Sequence, residues 1–230
     1  MIPLHDDNPS AIRPLFTYLF IGGCALTFLW QLSLGAGGQQ AVFAFGVIPA
    51  TLLGDAVLSP DIAVIPAELT VITSMFLHGG WAHFLGNMLY LWVFGDNVED
   101  SMGHVRFVLF YLLCGTAAAL AQAIPEPDST IPMIGASGAI SGVLGAYLLL
   151  YPHARVLVGV PLGFYLHTMR LPAGWILGLW FGMQLLSELM SPPGSAGVAF
   201  RAHLGGFVAG AALIPLFRQR GFPLLQPRVR

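Results

Sequence analysis

MIGASGAISGVLGAYLLLY, residues 133–151, runs for 19 positions without a charged side chain and carries Gly135, Gly138, Gly142 and Gly145. A stretch of this length and composition reads as a helix crossing the hydrocarbon core of a membrane, which takes about 20 apolar residues. Its entrance is Gly135-Ala136-Ser137-Gly138. A serine between glycines at the mouth of a membrane helix has two readings. It is ordinary small-residue packing, or it is a nucleophile whose backbone must come close to a substrate. The rest of the chain decides between them.

Composition sets the class. Of 230 residues, 56% are hydrophobic and only 9% charged, against about 25% charged in soluble domains. The chain is therefore read as an integral membrane protein. Its net charge of -2 gives no sign of a nucleic-acid partner. Cys24 and Cys114 both fall in apolar stretches, which argues against a disulfide framework or a thiolate metal site.

Six apolar runs approach membrane length: 14–34, 80–96, 105–124, 133–151, 173–190 and 199–217. The first follows Asp6 and Asp7 and is too long for a signal-peptide core, so it is kept as a span. The expected fold is an all-α membrane protein, a bundle of six transmembrane helices. A short N-terminus (1–13) precedes the six-helix domain (14–217), and a basic tail (218–230) follows it. The outer loop at 35–72 is long for a connector and holds two apolar stretches too short to span. It reads as an interfacial or re-entrant element.

Arginine placement orients the bundle. With six spans, Arg13, Arg106, Arg155, Arg170, Arg218, Arg220, Arg228 and Arg230 fall on one side, and only Arg201 on the other. Both termini are then cytoplasmic. In that topology the second, fourth and sixth spans all run inward from the outside. His83, Ser137 and His203 each lie within about two turns of the outer end, at one depth. Polar side chains in a membrane normally face the bundle interior or a water-filled cavity.

Ser137 needs a base, and His203 is the candidate at matching depth. No carboxylate is expected to orient that histidine, so the pattern supports a Ser–His dyad rather than a triad. His203, Gly206 and Gly210 share one stripe of the sixth span, and Gly138, Gly142 and Gly145 a stripe of the fourth. Small residues spaced this way let two helix backbones approach closely, which would carry the serine to the imidazole. Gly135 would keep the approach to Ser137 open. His83 and Asn87, four apart on the second span, share a face and could donate hydrogen bonds to an oxyanion beside the Ser137 N–H. His78 reads as a loop anchor. Trp81, Trp92, Trp175 and Trp180 read as interface or lipid-facing bulk, and His104, His153 and His167 as solvated. Neither a His-Glu-x-x-His pattern nor a cysteine pair suggests a metal.

Taken together, Gly-Ala-Ser-Gly at 135–138, Ala202-His203-x-x-Gly206-x-x-x-Gly210 and His83-x-x-x-Asn87 resemble the rhomboid intramembrane serine proteases. Phe94-Gly95-Asp96-Asn97-Val98-Glu99-Asp100, followed by Gly103 and Arg106, is similar to prokaryotic members. The resemblance covers roughly residues 70–212. It implies a six-helix core with Ser137 as nucleophile, His203 as general base, and His83, Asn87 and the Ser137 N–H around the oxyanion. It implies substrates that are transmembrane helices cut near their outer ends, a fifth span bordering the lateral access route, and no cofactor. The expected location is the inner (plasma) membrane of a bacterium. Two departures stand out. Glu68-Leu69-Thr70 occupies the loop region where many members carry a Trp-Arg pair, and Ser141 stands where some place an aromatic beside the base. The alternative function is a catalytically silent relative that binds transmembrane helices. A small transporter is disfavoured by the closed inner portions Leu148-Leu149-Leu150 and Ala211-Ala212-Leu213-Ile214.

Overall fold

The computed structural model describes residues 1–163, 165–191 and 198–226. Its elements in chain order are β1 (Ile2–Asp6), α1 (Leu15–Ser33), α2 (Gly38–Phe45), α3 (Pro49–Leu52), α4 (Ala67–Thr73), α5 (Trp81–Met102) and α6 (His104–Ala123). There follow α7 (Ser137–Leu150), β2 (Arg155–Leu162), β3 (Tyr165–Pro172), α8 (Ala173–Met190) and α9 (Phe200–Phe217). Each of the six apolar runs holds one long helix. Among the described residues α1, α6 and α9 are long and apolar enough to cross a membrane by length and composition alone.

α7 is the axis of the bundle. Nearly every residue from Gly138 to Tyr147 is buried, and α5, α6 and α9 pack around it. Its glycines make this possible. A side chain at Gly206 or Gly210 on α9 would run into the backbone carbonyls of Gly138 and Gly142, respectively, and one at Gly145 into that of Phe207. The helices therefore touch backbone to backbone, where no repacking could make room for a methyl group.

The expectation of an all-α chain is corrected. β1, β2 and β3 form a three-stranded antiparallel sheet at the end of the bundle away from Ser137. Its first pairing joins Ile2 to Gly159 across most of the chain, so no local signal marks it. Val156 and Val158 of β2 are fully buried in the core, and the sheet closes that end of the bundle. Asp6 is buried there and accepts a hydrogen bond from the Tyr147 hydroxyl.

Boundaries also differ from the apolar runs. α5 continues beyond residue 96 to Met102 because the polar side chains at its end find partners. Glu99, fully buried, accepts from the N–H groups of Phe16 (2.9 Å) and Thr17 (2.8 Å) and from the Thr17 hydroxyl (2.8 Å). It thereby caps the first turn of α1, whose N–H groups have no intrahelical acceptor. His104, expected to be solvated, places Nδ1 2.6 Å from the same carboxylate. Asp100 accepts the Ala11 N–H at 2.8 Å. At the other end of the bundle, residues before Ser137 are extended rather than helical, and Met133 exchanges backbone hydrogen bonds with Val47. The segment between α1 and α5 carries the short helices α2, α3 and α4. The C-terminal segment is more than a tail: the N–H groups of Gln219, Leu225 and Gln226 bond to the carbonyls of Ser101, Leu149 and Leu150. Arg228 and Arg230 lie outside the described residues.

Candidate active site

Ser137 is the first residue of α7, preceded by a glycine in a backbone conformation that side chains disfavour. Gly135 has φ +121° and donates its N–H to the Ser74 carbonyl at 2.8 Å. This turn swings the chain from the extended 131–134 segment into the helix and leaves the serine at the helix mouth. The first N–H groups of a helix lack intrahelical acceptors, and no side chain caps this end. The Ser137 N–H is therefore available to a developing negative charge. Ser141 hydrogen-bonds the Ser137 carbonyl at 2.6 Å and plays no part in orienting the base.

The close contact of α7 with α9 brings the predicted pair together. Ser137 Oγ lies 2.9 Å from His203 Nε2. His203 Nδ1 lies 2.8 Å from the Gln184 Oε1 of α8. An amide oxygen only accepts, so the imidazole carries its proton on Nδ1 and presents a bare Nε2 to the serine hydroxyl. That is the tautomer a general base requires. Gln184 is the functional residue the sequence reading missed. A carboxylate is the usual orienting group and Gln184 is not one, yet it is one of only three polar side chains in its apolar run, beside Ser187 and Glu188. Trp180 is a second correction. It lies beside His203 and Phe207, with ring centroids 6.0 Å from each, whereas Trp81, Trp92 and Trp175 are exposed as expected.

His83 and Asn87 face the same mouth from α5. The Gly79 N–H donates to His83 Nδ1 at 3.3 Å, which leaves Nε2 as the N–H of a neutral imidazole. A side chain at Gly135 would come within 2.6 Å of that Nε2 and 3.6 Å of Asn87 Nδ2. Both donors thus converge on the space that only a glycine at 135 leaves open. The Asn87 amide nitrogen is buried and has no hydrogen-bond partner, and an unsatisfied buried donor costs about 1–3 kcal/mol. His78 belongs to the loop instead. It exchanges backbone hydrogen bonds with the Gln31 side chain (2.9 and 3.3 Å) and lies edge-on to Phe28 and Phe84.

Ser137, His203 and His83 all line one cavity of about 440 Å³, walled on one side by the 131–134 segment and on another by Val198 and Ala199. Glu126, which lines the cavity as well, pairs with Arg201 at 2.8 Å, and Arg201 also pairs with Glu188 of α8. Among the described residues no group of three or more His, Cys, Asp or Glu side chains is placed to hold a metal.

The family model for the rhomboid domain matches residues 67–220. The chain belongs to the rhomboid family. Within the rhomboid domain fall α5, α6, α7, α8 and α9, together with the β2–β3 pair. The chain is 35% identical over 137 residues to the rhomboid protease GluP of Bacillus subtilis, a match that covers 59% of this chain and 24% of that protein. It is 31% identical over 125 residues to the putative rhomboid protease YdcA of the same organism, covering 53% and 62%. Against the mitochondrial rhomboid protein 1 of Saccharomyces cerevisiae the identity is 30% over 154 residues, covering 64% and 41%. The matched part is thus under two thirds of the length of each of these relatives. With its apolar helices, this rhomboid-family chain is an integral membrane protein.

Proposed function

We propose that this chain is an intramembrane serine endopeptidase that cuts transmembrane segments of other membrane proteins near their outer ends. The observation that carries the reading is the Ser137 Oγ–His203 Nε2 contact of 2.9 Å, made by an imidazole whose other nitrogen is held by Gln184. In this reading the six long helices each cross the bilayer, the sheet lies on the cytoplasmic side with both termini, and Ser137 sits in the outer leaflet. The membrane is the inner membrane of a bacterium, and the chemistry uses no cofactor.

Hydrolysis proceeds in two balanced halves. The Ser137 hydroxyl passes its proton to His203 Nε2 as Oγ bonds to the scissile carbonyl carbon. The negative charge forming on the carbonyl oxygen is met by the N–H groups of Ser137, His83 and Asn87. His203 returns the proton to the leaving amine as the C–N bond breaks, leaving an acyl-serine. Water from the cavity then gives a proton to His203 Nε2 as its oxygen bonds to the acyl carbon, and His203 returns that proton to Ser137 Oγ as the acyl–Oγ bond breaks, releasing the acid. Fixed donors in a site shielded from bulk water are worth far more than in solution. Gln184 acts as a positioning residue that keeps the base in its working tautomer.

The test is cleavage of a single-span reporter in proteoliposomes. Wild type should cleave it, His203→Ala should lose about 10²–10⁴-fold, and Ser137→Ala should fall to background. Equal rates for all three would overturn the dyad. Binding of the reporter without cleavage by wild type would favour a silent helix-binding protein instead.

A further inference from the structure

β2 and β3 pair in continuous register, from Arg155 opposite Pro172 to Leu162 opposite Tyr165. Directly opposed residues in an antiparallel pair share a face, and along a strand every second residue returns to it. Val156, Val158, Val160 and Leu162 therefore share a face with Tyr165, His167, Met169 and Leu171. At the base of the hairpin this face covers the end of the bundle, where Val156 and Val158 are fully buried. Toward the turn the same face runs out past the bundle, with Leu162 61% exposed, Tyr165 83% exposed and His167 exposed between Tyr165 and Met169, while Met169, opposite Val158, is 40% exposed. The opposite face is mixed, with exposed Thr168 and Arg170 beside Leu166, which is 52% exposed. No acidic residue occurs anywhere between Ser129 and Ser187.

The overhanging apolar face has a neighbour already. β3 passes directly into α8 at Pro172–Ala173, and only Ala173, Ile176 and Leu177 of α8 are buried. With the long helices crossing the bilayer as proposed above, lipid covers the rest of α8, including Trp175, which is 78% exposed. The exposed hairpin face is thus continuous with a lipid-covered surface and turned the same way as the residues that close the bundle. Tyrosine and leucine beside a cationic residue suit the headgroup–acyl boundary, where aromatic rings settle and anionic lipids attract arginine.

We propose that the outer half of this hairpin is an interfacial anchor. Val160, Leu162, Tyr165 and Met169 lie in the lipid boundary of the leaflet away from Ser137, and Arg170 lies on the water side near anionic headgroups. The hairpin fixes the depth of α8, the helix that carries Gln184. The inference requires that the bundle cross a bilayer and is independent of whether the protein cleaves anything.

The experiment places nitroxide labels, one at a time, in Leu162→Cys, Tyr165→Cys, Thr168→Cys and Arg170→Cys variants of the full chain in nanodiscs containing anionic phospholipid. The native Cys24 and Cys114 are buried and compete poorly for label. Relaxation by dissolved oxygen reports lipid exposure, and relaxation by a water-soluble nickel chelate reports aqueous exposure. The expected result is a higher oxygen-to-nickel ratio at 162 and 165 than at 168 and 170. Nickel access at all four positions would put the hairpin in water and overturn the anchor. Shielding of 162 and 165 from both reagents would overturn it too, by showing that protein covers the face. The readout involves no proteolysis, so an inactive dyad and a hairpin that is not an anchor give separate results.

Discussion

At the scale of single residues, the site turns on how His203 is held. An imidazole bonded only to Ser137 could rotate or change tautomer. The Gln184 carbonyl oxygen, 2.8 Å from Nδ1, removes both freedoms. Gln184→Leu should therefore lower kcat by about 10–10²-fold, less than the 10²–10⁴ that a positioned base supplies in full, with KM little changed. Gln184→Glu keeps an acceptor at Nδ1 and should restore much of the loss. Reporter cleavage kinetics together with the rate of Ser137 labelling by a fluorophosphonate check this. A fall in KM-dependent binding alone, with labelling at the wild-type rate, would make Gln184 a packing residue. Ser137, His203, His83 and Asn87 could be singled out from sequence because spacing and depth relate them along predicted helices. Gln184 could not be paired with His203 that way, since the rotation of α8 against α9 has no local periodic signal.

At the scale of elements, glycines serve two opposite purposes, and burial alone separates them. Gly210 meets the Gly142 backbone across the α7–α9 contact, whereas Gly182 on α8 has nothing within 4 Å of where a side chain would begin. Gly210→Ala must push two rigid backbones apart and with them the Ser137–His203 pair. It should lower the unfolding temperature in detergent and abolish cleavage. Gly182→Ala should leave activity intact and raise stability by up to about 1 kcal/mol, the helix-propensity difference. Thermal unfolding of the two variants side by side gives the answer, and equal Tm changes would contradict the packing account. The α7–α9 contact was readable as glycine stripes because helix periodicity is local. The extension of α5 to Met102 was not, because Asp96, Asn97, Glu99 and Asp100 look like a helix end until their partners on α1 and the N-terminal segment are known. The β2–β3 hairpin was equally hidden: it falls between two apolar runs, and β1 joins it from the far end of the sequence.

At the scale of the whole molecule, the N-terminal strand ties the first residues of the chain to the closed end of the bundle, and Asp6 is the knot. Burial pushes its carboxyl from 3.8 up to about 7, against the hydrogen bond from Tyr147, which favours the charged form, and with help from the nearby Asp96 and Asp7 charges. The folded protein therefore holds a proton on Asp6 that the unfolded chain has already released across the range from about 4 to about 7. Stability rises with pH only where the unfolded state binds more protons, and here the folded state binds more. The contribution is thus full below the unfolded value, is lost progressively as pH rises through that window, and is flat above it. Asp6→Asn keeps a neutral partner for Tyr147 at every pH. Unfolding temperatures measured in detergent from pH 4 to pH 8 should show the wild type losing ground to Asp6→Asn as pH rises, with the two curves parallel above about pH 7. Because β1 pairs directly with β2, loosening at Asp6 should also raise hydrogen exchange at the amides of Val156–Gly159 near neutral pH. A wild-type curve parallel to that of Asp6→Asn across the whole range would mean that the strand is held by its backbone pairing alone, and that the buried carboxyl carries no part of the connection between the N-terminus and the helices that build the site.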